Sequence, residues 1–464
     1  MSAGRVVIVG GGASGIILAA RLLGRPDSRL KVAIVEPREA IGAGVAYSTD
    51  EPAHLLNTRA GSMSAYPEDP DHFWRWLLQS GAAADLDCSD PFCFVSRRLY
   101  RRYLADLVAP WLAELGGDGR LQWIQASAVD VSQTATGVAV ALDDGRTEIG
   151  RAAVLATGHA VPASGAGAPY ASAWSSPAAL GIEPADDVLV LGTGLSMIDT
   201  VVALSRAKHR GRILALSRHG LLPQVHRRSH PLKLDAADIP FGTQTSFLLH
   251  WLRDTVRWAA SEGRDWRDVV DALRPHTQTL WQALPLSAKS RFIRHARTYW
   301  EVHRHRMPPE AEQSIRAAVA TGRLAIRAGR LLGVEAGEDG QKAARIRLRG
   351  GAEEVRGFHH VLDGTGILRD PAADTSSLVG RLVSRGLART DPLRLGLDVD
   401  GTCALVGADG QASPRIFAVG PLTKARFWEI TAIPDIRVQC ASLAQTVAAR
   451  IAAPEPTREV AAVV

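Results

Sequence analysis

Arg5-Val6-Val7-Ile8-Val9-Gly10-Gly11-Gly12-Ala13-Ser14-Gly15 lies at the head of the chain, and its reading decides the fold. The β-branched run Arg5 to Val9 is the pattern of a parallel strand buried on both faces. Three glycines in the spacing G-x-G-x-x-G follow at once, and then the helical pattern Ile-Ile-Leu-Ala-Ala-Arg-Leu-Leu. Gly10 permits a tight turn, Gly12 lets backbone approach a pyrophosphate, and Gly15 lets helix and strand pack closely. Ser14 lies in the first turn of that helix, whose unpaired N–H groups favour phosphate. A second strand, Lys31 to Val35, ends at Glu36, about 20 residues beyond the last glycine, where a carboxylate is expected to hold ribose hydroxyls. The stretch therefore predicts a dinucleotide site.

The same grammar recurs mid-chain. Asp187 to Leu191 is a short apolar strand, followed by Gly192-Thr193-Gly194-Leu195-Ser196-Met197. Met197 stands where the third glycine would be, which is expected to loosen helix–strand packing while keeping both pyrophosphate glycines. The next strand, Arg212 to Leu216, ends in Ser217-Arg218-His219 instead of an acid. A carboxylate there would repel a 2′-phosphate, whereas Ser217 and Arg218 would bind it, so NADPH is expected over NADH. Arg227 and Arg228 are further candidates, or a solvated pair.

Between the two motifs, Ala153 to Gly158 reads as a strand returning to the first unit, and a Pro/Gly/Ala-rich connector follows. From Phe247 to Thr321 apolar residues recur at three- and four-residue spacing, broken by Gly, Pro and Ser. This predicts an insertion of three to four helices beside the cofactor units, a natural substrate region. Trp300, His303, Arg304, His305 and Arg306 are dense there; they read either as a site for an anionic substrate or nicotinamide phosphates, or as a solvated helix end.

The expected fold is α/β: two nested, three-layer Rossmann-like dinucleotide-binding domains with an α-helical insertion. The divisions are 1–168 and 361–464 for the first domain, 169–240 and 323–360 for the second, and 241–322 for the insertion. At 464 residues the chain can bury several cores, and 46% hydrophobic with 22% charged residues is a globular composition. Net charge is +6, but arginine is interspersed with Asp and Glu, so no nucleic-acid-binding block forms. No signal peptide or run of ~18 apolar residues is present, so a cytoplasmic protein with reduced thiols is expected. Cys88-x-x-x-x-Cys93 lacks the surroundings of a redox pair and reads as structural; no Cys/His spacing suggests a metal.

Four stretches resemble a bacterial FAD-NAD(P)-binding family related to class B flavoprotein monooxygenases. They are Gly42-Ala43-Gly44-Val45-Ala46-Tyr47, Leu56-Asn57 through Met63-Ser64 to Asp71-His72-Phe73-Trp74, the second glycine motif, and Glu429-Ile430-Thr431-Ala432-Ile433-Pro434-Asp435-Ile436-Arg437. The resemblance implies two Rossmann-like domains, bound FAD and NAD(P)H as reductant, and with the reading of Ser217 and Arg218 the expected cofactors are FAD and NADPH. It places Gly10, Gly12, Ser14, Gly15, Glu36, Asn57, Met63, Ser64, Val129, Gly158, Gly420, Thr431 and Ile436 around FAD, and Gly192, Gly194, Ser196, Ser217 and Arg218 around NADP. Trp300, His303, Arg304 and Arg306 are the substrate candidates, and no catalytic residue is assigned. The family's linker fingerprint has His where Tyr170 sits, and Pro421 follows Gly420 where an Asp is usual. A helix starting near Asp435 would point its N-terminus at the anionic edge of reduced flavin, with Arg437 adding charge or pairing with a surface acid. The implied reaction is hydride transfer from NADPH to FAD, then oxygenation by O2, through a flavin C4a-hydroperoxide, of a small amine or amino-acid-like substrate. Two rivals stay open: an FAD-dependent oxidase or dehydrogenase without oxygen insertion, and a non-catalytic flavin-binding redox sensor.

Overall fold

Val6, Val7 and Ile8 are fully buried, as a strand covered on both faces requires. The computed structural model describes residues 4–26, 29–84, 86, 88–158, 170–337, 340–365, 370 and 372–452. The chain begins with β1 (Arg5–Val9), α1 (Ala13–Leu23), β2 (Lys31–Val35), α2 (His72–Gln79), α3 (Arg97–Val108), β3 (Leu121–Ile124), β4 (Ala128–Gln133), β5 (Val138–Leu142), β6 (Thr147–Gly150) and β7 (Ala152–Leu155). Next come β8 (Ala171–Ser172), β9 (Val188–Leu191), α4 (Leu195–Arg206) and β10 (Ile213–Ser217). A helical run follows: α5 (Thr245–Ser261), α6 (Trp266–Ala272), α7 (Thr277–Ala283), α8 (Leu286–His295), α9 (Arg297–Arg304) and α10 (Pro309–Ala320). The remainder is β11 (Leu324–Ala336), β12 (Lys342–Leu348), β13 (Glu353–Phe358), β14 (His360–Asp363), α11 (Leu378–Ser384), β15 (Ala404–Val406), β16 (Ala412–Ala418) and α12 (Ile433–Ala452).

The strands form two larger sheets. The first has the order β15-β16-β7-β1-β2-β3 and is parallel except for the β15–β16 pair. One face is covered by α1, α3 and α12, with Phe73, Tyr100 and Tyr103 fully buried among them. The other is covered by the antiparallel layer β4–β5–β6 and by α11. This is the three-layer arrangement expected, and because β16 pairs with β7 the far end of the chain completes the sheet that β1 begins. The second sheet has the order β13-β12-β11-β10-β9-β14-β8. Helices α4 and α10 cover one face, and the β11–β13 antiparallel extension folds against the other. β14 straddles the 360/361 division, and the 168/169 division lies outside the described residues.

The helical segment differs from the three to four helices expected. Six helices occupy it, because two of the periodic runs are each split in two, one by a tighter turn at Arg274–His276, which contains Pro275, and one at Ala296. The last, α10, packs Ala311, Ile315 and Ala318 against Met197, Ile198 and Val201, so it serves as a cover for the second sheet. The thiols also depart from expectation. Cys403 and Cys440 are free and buried, whereas Cys88 and Cys93 are joined as a disulfide, their Cα atoms 5.2 Å apart. The turn between them, in which Phe92 N–H is held by Asp90 Oδ1, brings the two side chains into bonding range, which spacing alone did not reveal. Among the described residues no helix is long and apolar enough to cross a membrane, and no group of three His, Cys, Asp or Glu side chains could hold a metal ion.

Candidate functional site

The first glycine loop leaves β1 at the edge of the sheet where β7 and β16 also end. A Cβ on Gly15 would lie 2.0 Å from the Gly10 carbonyl oxygen, so only glycine lets α1 sit this close to the turn. Gly12 is the N-cap of α1, no side chain caps the helix, and its first turn holds no acid. The first N–H groups are therefore left for a ligand of negative charge. Glu36 is buried at the end of β2. Its Oε2 accepts from Gly11 N–H at 2.9 Å and its Oε1 accepts from Arg38 Nη1 at 3.0 Å, which fixes the carboxylate beside the loop. From the far end of the chain Gly420, at φ +73°, closes onto Ser14, where a Cβ would stand 2.4 Å from Ser14 Oγ.

That closure is locked by residues the motifs did not single out. Gly420 N–H donates to Gln439 Oε1 at 2.8 Å, Gln439 Nε2 donates to Thr423 Oγ1 at 2.8 Å, and Thr423 Oγ1 donates to the Gly420 carbonyl at 2.8 Å. All three are buried and satisfied, so the turn after β16 is tied to α12. Gly158, following β7, sits at the same sheet edge; Val129 lies in β4, where its carbonyl accepts from Arg381.

The second glycine loop repeats the pattern, with Gly194 as the N-cap of α4 and again no side-chain cap or first-turn acid. The expected loosening at Met197 does not occur. Met197 is fully buried in the core shared by α4, α10 and the sheet, so its flexible thioether occupies the space that a glycine would leave. Ser217 is engaged within the loop: Thr193 Oγ1 donates to the Leu221 carbonyl, which leaves the Ser217 hydroxyl to donate to Thr193 across 2.9 Å. Arg218, by contrast, is exposed and forms no ion pair among the described residues. Arg228 pairs with Asp90 and stacks over Phe92, away from this loop.

Four parts of the chain meet at a cavity of about 210 Å³. Tyr47, Asn57 and Met63 reach it from the first unit, His226 from the segment after β10, Asp271, Arg274, Arg304 and Arg306 from the helical segment, and Thr431 and Ile433 from the start of α12. The Asn57 carbonyl accepts from His226 Nε2 at 3.0 Å. Ser64, expected near a flavin ring, instead uses its hydroxyl inside a turn, donating to the Asp69 carbonyl at 2.6 Å. Among the described residues Arg437 pairs with no acid, and it does not line the cavity; its Nη1 donates to the Ser64 carbonyl at 3.1 Å. Ile436 is buried in the core beneath α12.

The His/Arg cluster is not a solvated helix end. The Arg306 side chain is 3% exposed and Arg304 11%. Each arginine has a carboxylate: Arg304 Nε meets Glu429 Oε2 at 2.9 Å, Arg306 Nη2 meets Asp271 Oδ1 at 2.9 Å, and Arg274 Nη2 meets Asp435 Oδ2 at 3.3 Å. Trp300 Nε1 donates to the other oxygen of Glu429. Arg304 and Arg306 thus face the cavity, while Trp300 and His303 face a separate apolar one. Burial works against the Glu429 charge, but Arg304, His305 and the indole N–H outweigh it and hold its pKa below the usual value. Burial raises that of Asp435 despite Arg274. Burial likewise drives His226 and His305 down to about 4, so both are neutral at physiological pH. Glu429 also holds a left-handed backbone, φ +67°, uncommon for a residue with a side chain. No periodicity announces such a position, nor the roles of Tyr47, His226, Asp271 and Arg274.

Fold and site together define a two-dinucleotide architecture of the flavoprotein type. Residues 7–160 match the family described as FAD-NAD(P)-binding. Among curated sequences, uncharacterized proteins of Mycobacterium bovis and Mycobacterium tuberculosis are 26% identical over 286 residues, covering 57% of this chain and 51% of theirs. The chain spans about half the length of these curated relatives. Among solved structures, the ornithine N-hydroxylase of Kutzneria sp. 744 is similar over 96% of this chain and 99% of its own, with TM-score 0.67 and 16% identity. The ornithine hydroxylase of Pseudomonas aeruginosa in its reduced form has TM-score 0.66 and 16% identity, over 96% and 99%. The cadaverine monooxygenase of desferrioxamine biosynthesis from Erwinia amylovora has TM-score 0.65 and 12% identity, over 98% and 96%. The expected fold is therefore shared almost end to end.

Proposed function

We propose that the chain is an FAD-dependent, NADPH-using monooxygenase that oxygenates the nitrogen of an amine or amino-acid-like substrate. The observation that carries this reading is the junction cavity, where both glycine-loop units, the helical segment and the start of α12 converge on one small, arginine-rich space. The residues fit the cofactors. Two helix N-termini without side-chain caps or acids suit two pyrophosphates, and the clash a Cβ would make at Gly15 marks a cradle built to close approach. Bound FAD would supply hydride acceptance and oxygen activation. Glu36 would hold the adenosine ribose, and Arg218 the 2′-phosphate of NADPH. The likeness to ornithine and cadaverine oxygenases supports the reaction class, and the neutral His226 and His305 keep the cavity free of extra exchangeable charge.

Within the cavity the chain's own work is orientation and exclusion of water. His226 fixes the Asn57 carbonyl, and Glu429 fixes Arg304. The test is NADPH oxidation with candidate amines, with product mass and peroxide measured in parallel. Amine-dependent gain of one oxygen atom is the expected result; peroxide alone with every amine would overturn the oxygenase reading in favour of an oxidase.

A further inference from the structure

Helix α5 carries two adjacent stripes. Leu248, Leu252 and Val256 recur at four-residue spacing and are half-buried, while Leu249, Arg253 and Arg257, each one residue further on, are exposed. All six border a second cavity, of about 840 Å³, within the size range of small-molecule sites. Helices α6 to α9 and Trp428 supply the remaining walls, so the space is concave on several sides. Its most buried wall is aromatic: Trp281 and Trp428 are 3% and 4% exposed, and their rings stack with centroids 4.3 Å apart. The lining is therefore graded, from a buried aromatic floor through a half-buried aliphatic flank to an exposed basic rim.

The charged part of that lining has one sign. Arg253, Arg257, His295 and His303 border the cavity, and among the described residues no Asp or Glu does. Arg253 makes no ion pair or hydrogen bond among the described residues. Arg257 meets Asp254 at 2.7 Å, but the two side chains are 75% and 65% exposed, where such a pair contributes little. This combination restricts the ligand. A cation would be repelled at the rim, and a wholly apolar molecule would leave the guanidinium groups unused. A small anion would leave the tryptophan floor wet. A molecule with one anionic end and a long apolar body satisfies floor and rim together.

We infer that this cavity is a binding site for a long-chain fatty carboxylate. The chain lies against Trp281, Trp428 and the Leu252 stripe, and the head meets Arg253 and Arg257 at the rim. The site shares no lining residue with the junction cavity and does not rest on the oxygenase reading.

The test uses FAD-loaded, oxidised protein. Hexanoate, octanoate, decanoate and dodecanoate, each kept monomeric, are titrated by calorimetry beside 1-dodecanol. The dissociation constant should fall about fourfold per added methylene. Dodecanoate should bind about tenfold more tightly than dodecanol, the worth of a charged hydrogen bond, and the double variant Arg253→Gln, Arg257→Gln should erase that difference by weakening dodecanoate alone. Leu252→Trp, which places a ring in the flank, should weaken dodecanoate about tenfold and hexanoate less. Val256→Trp offers the same obstruction should the first variant fold poorly. Dissociation constants independent of chain length would overturn the inference, as would equal affinities for dodecanoate and dodecanol. Equal losses for both ligands in the arginine variant would also overturn it. So would a flat series accompanied by a concentration-dependent dimer that Leu252→Trp abolishes, which assigns the cavity to a second copy. A flat series with co-sedimentation on phosphatidylglycerol vesicles would overturn it in favour of a lipid surface.

Discussion

Arg218 and His226 show how much a single side chain can be asked to decide. Arg218 stands exposed at the end of β10 with no ion pair among the described residues, whereas its neighbour Ser217 is held by Thr193. The proposed preference for a 2′-phosphate therefore rests on Arg218. Arg218→Ala should lower kcat/KM for NADPH about 10- to 100-fold, the worth of a charged hydrogen bond, and leave NADH use unchanged. Equal losses with both nucleotides would refute the assignment. His226 carries a different prediction. Its folded pKa of about 4 lies below the ordinary 6.5, so between these values the unfolded chain binds a proton that the folded chain refuses. Stability should hold above pH 6.5 and decline as pH falls through that window, with His305 contributing in the same direction. His226→Gln keeps an N–H for the Asn57 carbonyl and should remove about one proton from the slope. Denaturant midpoints measured across the acid range would check it; an unchanged slope would place the titration elsewhere.

At the scale of elements, legibility followed whether a pattern was local. The passage from Val9 through Gly10 to Gly15 could be read because turn, phosphate approach and helix packing all impose their demands within a dozen residues. The same holds for β9 and α4, although Met197 was misjudged: whether a side chain fills a gap depends on α10, more than a hundred residues away. The expected helical count falls short because periodicity runs across the short breaks at Arg274–His276 and Ala296. The Arg304–Glu429, Arg306–Asp271 and Arg274–Asp435 pairs join distant segments, and no spacing rule finds them. Cys88 and Cys93 belong here too. Their bond closes a loop of sequence separation 5, so reduction should cost at most about 2 kcal/mol. Thermal melts with and without reductant should differ by a few degrees, while flavin retention stays unchanged. Loss of flavin on reduction would instead tie this loop to the cofactor site.

The whole molecule is organised by closure. β16 pairs with β7, Gly420 lies on Ser14, and α12 packs over α1, so the end of the chain completes the unit that its beginning opens. The second sheet and the helical segment are set between these two halves. His226 to Asn57 and Arg97 to Asp199 tie them to the first unit, the latter pair at 2.6 Å. This arrangement brings segments of both glycine-loop units to one cavity, and the central claim is that electrons pass between two bound dinucleotides. The most direct measurement is anaerobic rapid mixing of the FAD-loaded protein with NADPH, following the flavin's visible absorbance. Full bleaching in one turnover, faster with NADPH than with NADH, is the result predicted. A bound flavin that stays oxidised with both nucleotides would contradict it.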